Sequence, residues 1–280
     1  MPITMEMIKN LRDRTSVGLM DCKKALEASN GNIEAAIQWL RTNGIAKAQA
    51  KQARINTEGL SKVLVADDIA IILELNCETD FVAKNKLFLE LLDNILTLFL
   101  KHQPLTLEAR LLLKNEENIV VNDLLNEATY KLGEKISIRR FTIITKSDQE
   151  TLVGYNYGNY RIASLVKLQG QVDNDIAKKL AMHVVASKPA FISREDIPQD
   201  FINKEMDIIN SQMATENKPP EILEKIKQGR LDKQLGEYSL LDQPFMFDEK
   251  KKVQEILTMH NTKVLVMYRY EVGEGITKTD

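Results

Sequence analysis

Residues 74–85 read ELNCETDFVAKN, and the character of the chain changes within them. The apolar run Ile69–Leu75 that leads into this stretch is short, rich in isoleucine and bounded by polar residues, which predicts a buried strand. Polar and acidic residues begin at Asn76, and helical spacing of apolar residues resumes after Phe81. A large aromatic side chain at such a strand-to-helix corner either packs into the core or is displayed to a partner. The choice between these two positions decides the function.

On the N-terminal side of this corner, the first fifty residues predict a compact bundle of three short helices. We expect Thr4, Asp21 and Asn32 to cap these helices, because short polar side chains accept hydrogen bonds from the free N–H groups of a first turn. The apolar residues at helical spacing are Met5, Ile8 and Leu11, then Cys22, Ala25 and Leu26, and then Ile33, Ala36, Ile37 and Leu40.

Beyond this bundle, we expect Asn43-Gly44 to loosen the chain before a helical linker that ends near Arg54. Alanines alternate with lysines and an arginine in this linker, which predicts a solvated basic face. Contact of Lys23, Lys24, Lys47 and Lys51 with nucleic acid is the less favoured interpretation, since no aromatic residues are interleaved with them.

The middle of the chain predicts a core of small sheets and helices. Its expected elements are two strands joined by an acidic turn, a long amphipathic helix, two shorter helices and a strand, at residues 62–66, 70–75, 87–99, 108–113, 123–132 and 135–144. A second hairpin, at 152–155 and 162–168, is again followed by a helix that ends near Ser187. Because hairpin and helix occur twice, we expect two related subdomains that share one core.

The remaining segment predicts two helices, over 201–214 and 221–235, on either side of the turn Lys218-Pro219-Pro220. Such helices form an antiparallel hairpin. A helix over 253–259 and a strand over 263–270 follow. We expect this last strand to close the second sheet, which makes the helical hairpin an insertion.

These patterns predict an α+β fold: an N-terminal three-helix bundle, a two-subdomain α+β core with small antiparallel sheets, and an inserted antiparallel helical hairpin. The expected boundaries are 1–54 for the bundle and linker, 55–140 for the first core subdomain, 141–189 with 237–272 for the second, 190–236 for the hairpin and 273–280 for a C-terminal tail.

Composition narrows the class of protein. The 280 residues carry a net charge of −2, without the one-sided basicity of a dedicated nucleic-acid binder. The start, MPITME, lacks the features of a signal peptide, and the apolar stretches are too short to span a bilayer. Cys22 and Cys77 lie in different segments, so we expect no disulfide framework. These features predict a cytoplasmic protein or one from an equivalent reducing space.

The residues that could support catalysis are few. His102, His183 and His260 are isolated, so packing or surface roles are favoured over metal ligation. Cys77 has no nearby basic residue to lower its pKa, which favours a small buried apolar role over that of a nucleophile. The sequence contains neither a phosphate-binding GxxxxGK[ST] loop nor a GxGxxG turn after a strand. We therefore expect no bound nucleotide, cofactor or metal.

One alternative concerns the carboxylates of Glu74, Glu78 and Asp80. Carboxylates at a strand end can hold Mg²⁺ for hydrolysis. Their spacing does not force them to converge, and Phe81 occupies the middle of the loop. A Mg²⁺-dependent hydrolase therefore stays a minor hypothesis.

The loop at Leu19-Met20, beside Lys23, has two interpretations. Its spacing leaves open whether it belongs to the bundle core or forms an apolar binding surface.

Five stretches carry a resemblance to one family. They read LRDRTSVGLMDCKKAL at 11–26, NCETDFVAK at 76–84, GEKISIRR at 133–140, AMHVVASKP at 181–189 and EVGEGI at 271–276. In this order they resemble the signature sequences of bacterial elongation factor Ts, and they are distributed along nearly the whole chain, from residue 11 to residue 276.

The resemblance implies a guanine-nucleotide exchange factor, and not an enzyme, that acts on elongation factor Tu, the GTPase that delivers aminoacyl-tRNA to the ribosome. Such a factor binds the GDP-bound GTPase and promotes GDP release by displacing Mg²⁺ and switch contacts, which allows GTP to bind. The resemblance also implies that the N-terminal bundle is similar to ubiquitin-associated domains and that the inserted helical hairpin is used in dimerisation or partner contact. A homodimer and a 2:2 complex both stay open.

The resemblance also implies roles for particular residues. Asp80 and Phe81 match the pair that enters a crevice of the GTPase near its magnesium ion, while Thr79 and Val82 set the conformation of the corner. The bundle residues that match positions gripping a helix of the GTPase are Leu11, Leu19, Met20 and Lys23. Lys51 lies in the linker that orients the bundle.

The chain departs from the family pattern at two places. Some members carry histidine where this chain has Tyr157, so no role is transferred to that position. The sequence ends soon after Gly275, where some members continue into a helix that clasps the partner, so we expect either a weaker grip or compensation by the partner. A scaffold that binds the GTPase without exchanging its nucleotide is the second alternative.

Overall fold

The computed structural model of the protein describes residues 3–104, 106–213 and 219–277, and it shows an α+β fold. The helices are α1 (Met5–Thr15), α2 (Leu19–Ala28), α3 (Ile33–Gln49), α4 (Asp80–Ala83), α5 (Lys86–His102), α6 (Leu107–Leu111), α7 (Val121–Leu132), α8 (Asn174–Ser187), α9 (Gln199–Gln212), α10 (Pro220–Tyr238) and α11 (Val253–Met259). The strands are β1 (Glu58–Ala66), β2 (Ile69–Cys77), β3 (Ser137–Thr145), β4 (Glu150–Tyr157), β5 (Ile162–Gln169), β6 (Pro244–Phe245), β7 (Asp248–Lys252) and β8 (Val264–Glu271).

Two of the three N-terminal helices begin directly after the capping residues that the sequence predicted, Thr4 and Asn32. The Thr4 hydroxyl accepts the Met7 N–H at 3.3 Å, and the Asn32 side chain accepts the Ala35 N–H at 3.0 Å. The predicted cap at Asp21 is wrong, because α2 already begins after Gly18 and places Asp21 in its first turn. A carboxylate is favourable there, next to the free N–H groups of the helix start. The side chains that form the bundle core are Ile8, Leu11, Val17, Cys22, Ala25, Leu26, Ala36 and Leu40.

The third helix does not loosen at Asn43-Gly44, as the sequence suggested, but continues to Gln49. The Asn43 side chain donates to the Trp39 carbonyl at 2.9 Å, so it supports the helix that it was expected to interrupt. A Cβ at Gly44 would lie only 2.8 Å from Cδ1 of Tyr130 on α7. Glycine at this position therefore permits the close approach of α3 and α7.

The first sheet has the order β1-β2-β3 and is antiparallel throughout. Its middle strand, β2, is buried along almost its whole length, which explains the uninterrupted apolar run in its sequence. Helices α5 and α7 cover this sheet, and Phe88, Ile95 and Phe99 of α5 are completely buried against it. Because β2 is the middle strand, the corner that follows it starts from a fixed point.

The second sheet has the order β4-β5-β8 and is also antiparallel. The expectation that the last strand closes this sheet is confirmed by the pairing of β5 with β8. The apolar core of this part lies between the sheet and the helices α8 and α11. The short pairing of β6 with β7 was not predicted, since residues 248–252 read DEKKK and carry no apolar alternation.

The two sheets face each other. Val63, Ala70 and Ile72 of the first sheet pack against Ala163, Leu165 and Tyr270 of the second. A Cβ at Gly154 would lie 2.7 Å from a methyl group of Val63, so glycine allows this close approach. The Asn156 amide group bonds both the N–H and the carbonyl of Val63, at 2.8 and 3.0 Å. The packing of the two sheets against each other therefore buries β2 inside the molecule.

Helices α9 and α10 pack on each other around Ile209, Met213 and Leu231. Pro219 precedes α10 and Pro220 begins it, one residue before the predicted start at Glu221. Three features of the sequence interpretation lie outside the described residues: the helix end at Ala214, the turn residue Lys218, and residues 278–280 of the tail. Among the described residues, no helix is both long and apolar enough to cross a membrane.

Candidate functional site

The corner, which we define as residues 78–83, has the conformation that its sequence favours. Thr79 is extended, with φ −128° and ψ 155°, and its hydroxyl accepts the Val82 N–H at 3.4 Å. This contact is an N-cap and starts the single-turn helix α4. Asn85 caps α5 in the same manner, by accepting the Leu87 N–H at 2.9 Å. Two short polar side chains therefore divide the chain into a strand, one turn of helix and a long helix.

Phe81 is displayed to solvent, with 80% of its surface exposed. Its neighbours Val82 and Ala83 point the other way and pack against the core of the first sheet. The sequence left open whether Phe81 packs inward or is displayed, and the structure places it outside. An exposed phenylalanine on a fixed turn is a typical contact residue, since it brings a large apolar area at little conformational cost.

Asp80 lies beside Phe81 and carries a half-exposed side chain. The Lys84 ammonium group donates to its Oδ2 at 2.6 Å, and this hydrogen bond lowers the pKa of Asp80 below its usual value. The carboxylate is therefore ionised at neutral pH. The corner therefore presents an ion-paired carboxylate next to an apolar ring.

The corner is held from behind by Glu134. Its carboxylate accepts the N–H groups of Glu78 and Thr79, at 3.0 and 2.9 Å, and the Thr79 hydroxyl at 2.6 Å. In return, the Glu78 carboxylate accepts the N–H of Lys135 at 2.7 Å and contacts the Arg54 guanidinium at 3.3 Å. Sequence reasoning did not assign these contacts, although Glu134 and Lys135 lie in one of the family-like stretches.

The carboxylates of Glu74, Glu78 and Asp80 do not converge on a metal site. Glu74 is completely buried, and its oxygens accept hydrogen bonds from Arg139 at 2.9 Å and Arg140 at 2.6 Å. The Gly273 N–H also donates to this carboxylate, at 2.8 Å. Each of the three acids is engaged by different donors, so the hydrolase alternative is contradicted at these residues. No group of three or more candidate ligands is placed to hold a metal within the part of the chain that the structure describes.

Cys77 ends β2 directly before the corner and is completely buried. Its Sγ donates to the Thr79 carbonyl at 3.1 Å. Burial raises the pKa of Cys77 to about 12, so the thiol stays protonated at neutral pH. This agrees with a packing role, because the thiolate and not the thiol is the nucleophile.

The bundle presents an apolar surface at the start of α2. Met20 is 67% exposed and Leu19 is 41% exposed, and both line a shallow concavity with Arg12. Lys23 is exposed at the next turn and lies 3.8 Å from Glu27. The sequence left open whether this loop is core or surface, and the structure places it on the surface.

The prediction that Leu11 contacts the partner together with Leu19, Met20 and Lys23 is wrong, because none of the surface of Leu11 is exposed. Its side chain packs in the bundle core because α1 turns its apolar face toward the other two helices. Leu11 can therefore support the surface at Leu19 and Met20 but cannot itself touch a partner.

Lys51 joins the end of the bundle to the core. Its Nζ donates to the Gly133 carbonyl at 2.6 Å, and burial lowers its pKa below the usual value. The Lys135 ammonium group also donates to the Arg54 carbonyl, at 3.0 Å. The linker is thus bonded to the residues on either side of Glu134, the side chain that holds the corner.

Tyr157, the position at which the chain departs from the family pattern, lies exposed at the end of β4.

Comparison with known proteins identifies the family. The family model described as Elongation factor TS matches residues 78–274. Elongation factor Ts of Spiroplasma citri is 43% identical over 288 residues, in an alignment that covers all of this chain and 96% of the relative. The match begins at the corner and ends at the turn whose Gly273 bonds Glu74. On both findings, the chain belongs to the elongation factor Ts family.

Proposed function

We propose that this protein is a guanine-nucleotide exchange factor for elongation factor Tu. It binds the GDP-bound GTPase, promotes release of GDP and allows GTP to bind, and it performs no bond chemistry itself. The observation that carries the proposal is the exposed Phe81 on a corner that the protein fixes from behind, in a chain of the elongation factor Ts family. Membership of that family supports elongation factor Tu as the partner and the cytoplasm as the place of action.

In the proposed mechanism, Phe81 and Asp80 act together at the nucleotide site of the partner. A GTPase holds GDP through Mg²⁺ and through backbone donors around the phosphates. An aromatic ring that occupies a crevice beside the switch region displaces these donors. The ionised carboxylate of Asp80 perturbs the water molecules around Mg²⁺. Both changes lower the affinity of the GTPase for GDP.

The direction of exchange follows from linkage. The exchange protein binds the nucleotide-free GTPase best. By linkage, it lowers the affinity of the GTPase for the nucleotide by the same ratio by which the nucleotide lowers the affinity of the GTPase for the exchange protein. Incoming GTP therefore releases the exchange factor. Thr79 and Val82 contribute by fixing the corner: Thr79 caps α4, and Val82 anchors it to the core.

The bundle supplies a second contact in this proposal. Leu19 and Met20 offer apolar area for a helix of the GTPase, and Lys23 offers a charge beside it. Leu11 holds this surface from within the bundle. Lys51 keeps the bundle oriented through its bond to the Gly133 carbonyl. We also propose the division into bundle, two core subdomains and inserted hairpin, with the hairpin as a surface for dimerisation or partner contact.

The test measures release of fluorescent GDP from elongation factor Tu by stopped flow, with binding followed in parallel by calorimetry. We expect the protein to bind and to accelerate release strongly. Binding without acceleration would replace the proposal with the scaffold alternative. Turnover of nucleotide or phosphodiester by the isolated protein would contradict the proposal, which assigns no bond chemistry to this chain.

A further inference from the structure

One carboxylate fastens the corner to a distant part of the chain. Glu134 follows Gly133, the residue that ends α7 in a left-handed conformation with φ 79°. From there its Oε2 accepts the N–H groups of both Glu78 and Thr79, and its Oε1 accepts the Thr79 hydroxyl. Two consecutive peptide groups and one side chain are therefore fixed by a single acid. Hydrogen bonds to an ionised acceptor are stronger than those between neutral groups.

The effect of Glu134 extends to the turn that carries Phe81. The Thr79 hydroxyl donates a hydrogen bond to Glu134, and its oxygen accepts a hydrogen bond from the Val82 N–H. The bond to Glu134 thus orients the N-cap of α4. An isolated helix of four residues is unstable in water, so α4 depends on this cap and on the packing of Val82 and Ala83.

The contact is reciprocal, which distinguishes it from a side chain that merely lies across a surface. Glu78 of the corner accepts the N–H of Lys135, while Glu134 accepts the N–H of Glu78. Residues 78–79 and 134–135 are therefore joined in both directions.

From this geometry we propose that Glu134 is a positioning residue for nucleotide exchange. It touches no part of the GTPase; it holds the corner so that Phe81 is already outward before the partner arrives. An interaction that is made only while the nucleotide is being displaced changes the maximal rate more than the affinity, so a wrongly placed Phe81 lowers the maximal rate. The inference rests on the proposed function, because positioning matters only if Phe81 acts on the partner.

The experiment compares Glu134→Ala and Glu134→Gln with the wild-type protein in the GDP-release assay over a range of concentrations. Glu127→Gln is the matched control: it removes another acid, from α7, whose partner is Lys131 at 2.7 Å. We expect Glu134→Ala to lower the maximal release rate about tenfold, as loss of charged hydrogen bonds predicts, and to change the half-saturating concentration less than about twofold. Glu134→Gln should lie between, since its amide oxygen still accepts N–H groups, and Glu127→Gln should match wild type.

Amide hydrogen exchange of the free protein provides a readout that needs no partner. We expect the amides of Glu78 and Thr79 to exchange about tenfold faster in Glu134→Ala, while amides in the middle of β2 keep their protection. A general loss of structure would affect both regions alike and would contradict a local role. If Glu134→Ala does not fold, Glu134→Gln decides: a lower maximal rate together with faster amide exchange supports the inference, and a wild-type value of either overturns it.

The outcomes separate the two proposals. An active wild type with unchanged maximal rate in folded Glu134→Ala overturns the positioning role and leaves nucleotide exchange intact. An inactive wild type refutes nucleotide exchange, and with it the role of Glu134 in exchange, even if amide exchange shows that Glu134 holds the corner. A raised half-saturating concentration at full maximal rate overturns the inference as well, since it would make Glu134 a binding residue.

Discussion

Glu74 is a completely buried carboxylate whose surroundings explain why it is there. It bonds Arg139, Arg140 and the Gly273 N–H, so it connects the middle strand of the first sheet with its neighbour β3 and with the turn after β8. Arg140 continues the connection by donating to the Glu271 carbonyl at 3.1 Å. A buried ion is tolerated when several donors satisfy it, and removing it leaves the partners uncompensated.

We therefore predict that Glu74→Gln lowers the free energy of unfolding by about 3 kcal/mol, because the half-buried Arg139 loses its buried charged partner and Arg140 keeps only the more exposed Glu274. Urea denaturation followed by circular dichroism measures this change. The control is Glu90→Gln, which breaks an exposed ion pair with Lys86 and should change stability by less than about 0.5 kcal/mol. Equal effects of the two substitutions would contradict the structural role of Glu74.

His183 is a second buried group with a consequence for stability. Its ring is completely buried against Phe245; Nε2 bonds the Gln243 side chain at 2.9 Å and Nδ1 accepts the Met246 N–H at 3.3 Å. Since Nδ1 accepts, the ring proton lies on Nε2 and the neutral form fits the site. Burial lowers the pKa of His183 below its usual value.

The pH dependence follows from this lowered pKa. The unfolded chain takes up a proton near pH 6.5 that the folded protein does not bind, so stability falls as the pH drops below that value. We predict a slope of at most about 1.4 kcal/mol per pH unit from this residue, seen as a decrease in the urea midpoint between pH 6.5 and 5. The slope should become smaller in His183→Gln. An identical slope in the variant would contradict the assignment.

Single residues also show the limit of the sequence. The pattern around residues 74–85 predicted the buried strand, the polar corner and the next helix. It did not show whether Phe81 faces in or out, and it offered Glu74 as a metal ligand. Both depend on contacts with residues 55 to 199 positions away, such as Glu134 and Gly273, and local spacing carries no information about these contacts.

Helix α3 shows how tertiary contacts override local propensity. Glycine favours interruption of a helix, yet α3 continues through Gly44 because α7 packs against that position. Most other elements followed their apolar periodicity to within a few residues, since periodicity reflects which face is buried. The β6–β7 pair was missed because its charged strand lies at the surface, where no periodicity is required.

Two glycines within helices provide a matched test. Gly229 on α10 has open space at its Cβ position, whereas a Cβ at Gly44 would meet the Tyr130 ring. We predict that Gly229→Ala raises the free energy of unfolding by about 1 kcal/mol, which is the gain in helix propensity. Gly44→Ala should lower it by about 1–3 kcal/mol through overpacking. Thermal denaturation distinguishes them, and stabilisation by both would contradict the close contact of α3 with α7.

In the proposal, the partner meets the protein at two separate contacts: the bundle surface at Leu19 and Met20 would supply affinity, and the corner would supply the effect on the nucleotide. The linker bonds of Lys51 and Arg54 lie close to Glu134 and Glu78, so the bundle and the corner are attached to the same part of the core. Affinity and maximal rate should therefore respond to different substitutions.

For the bundle, we predict that Met20→Ser raises the half-saturating concentration in the GDP-release assay about tenfold, through loss of an apolar contact, and leaves the maximal rate unchanged. Met259, which is 64% exposed on α11, gives the control Met259→Ser, with both values as in wild type. A lower maximal rate in Met20→Ser would contradict the separation of roles.

The maximal rate of GDP release from elongation factor Tu with Phe81→Ala shows whether Phe81 acts on the nucleotide site. We predict a fall of about 10- to 100-fold, the effect of losing one buried aromatic contact, with an unchanged circular dichroism spectrum. Leu112→Ala, which removes another exposed apolar side chain, should keep the wild-type rate. A folded Phe81→Ala protein that releases GDP as fast as wild type would contradict the claim that Phe81 acts on the nucleotide site.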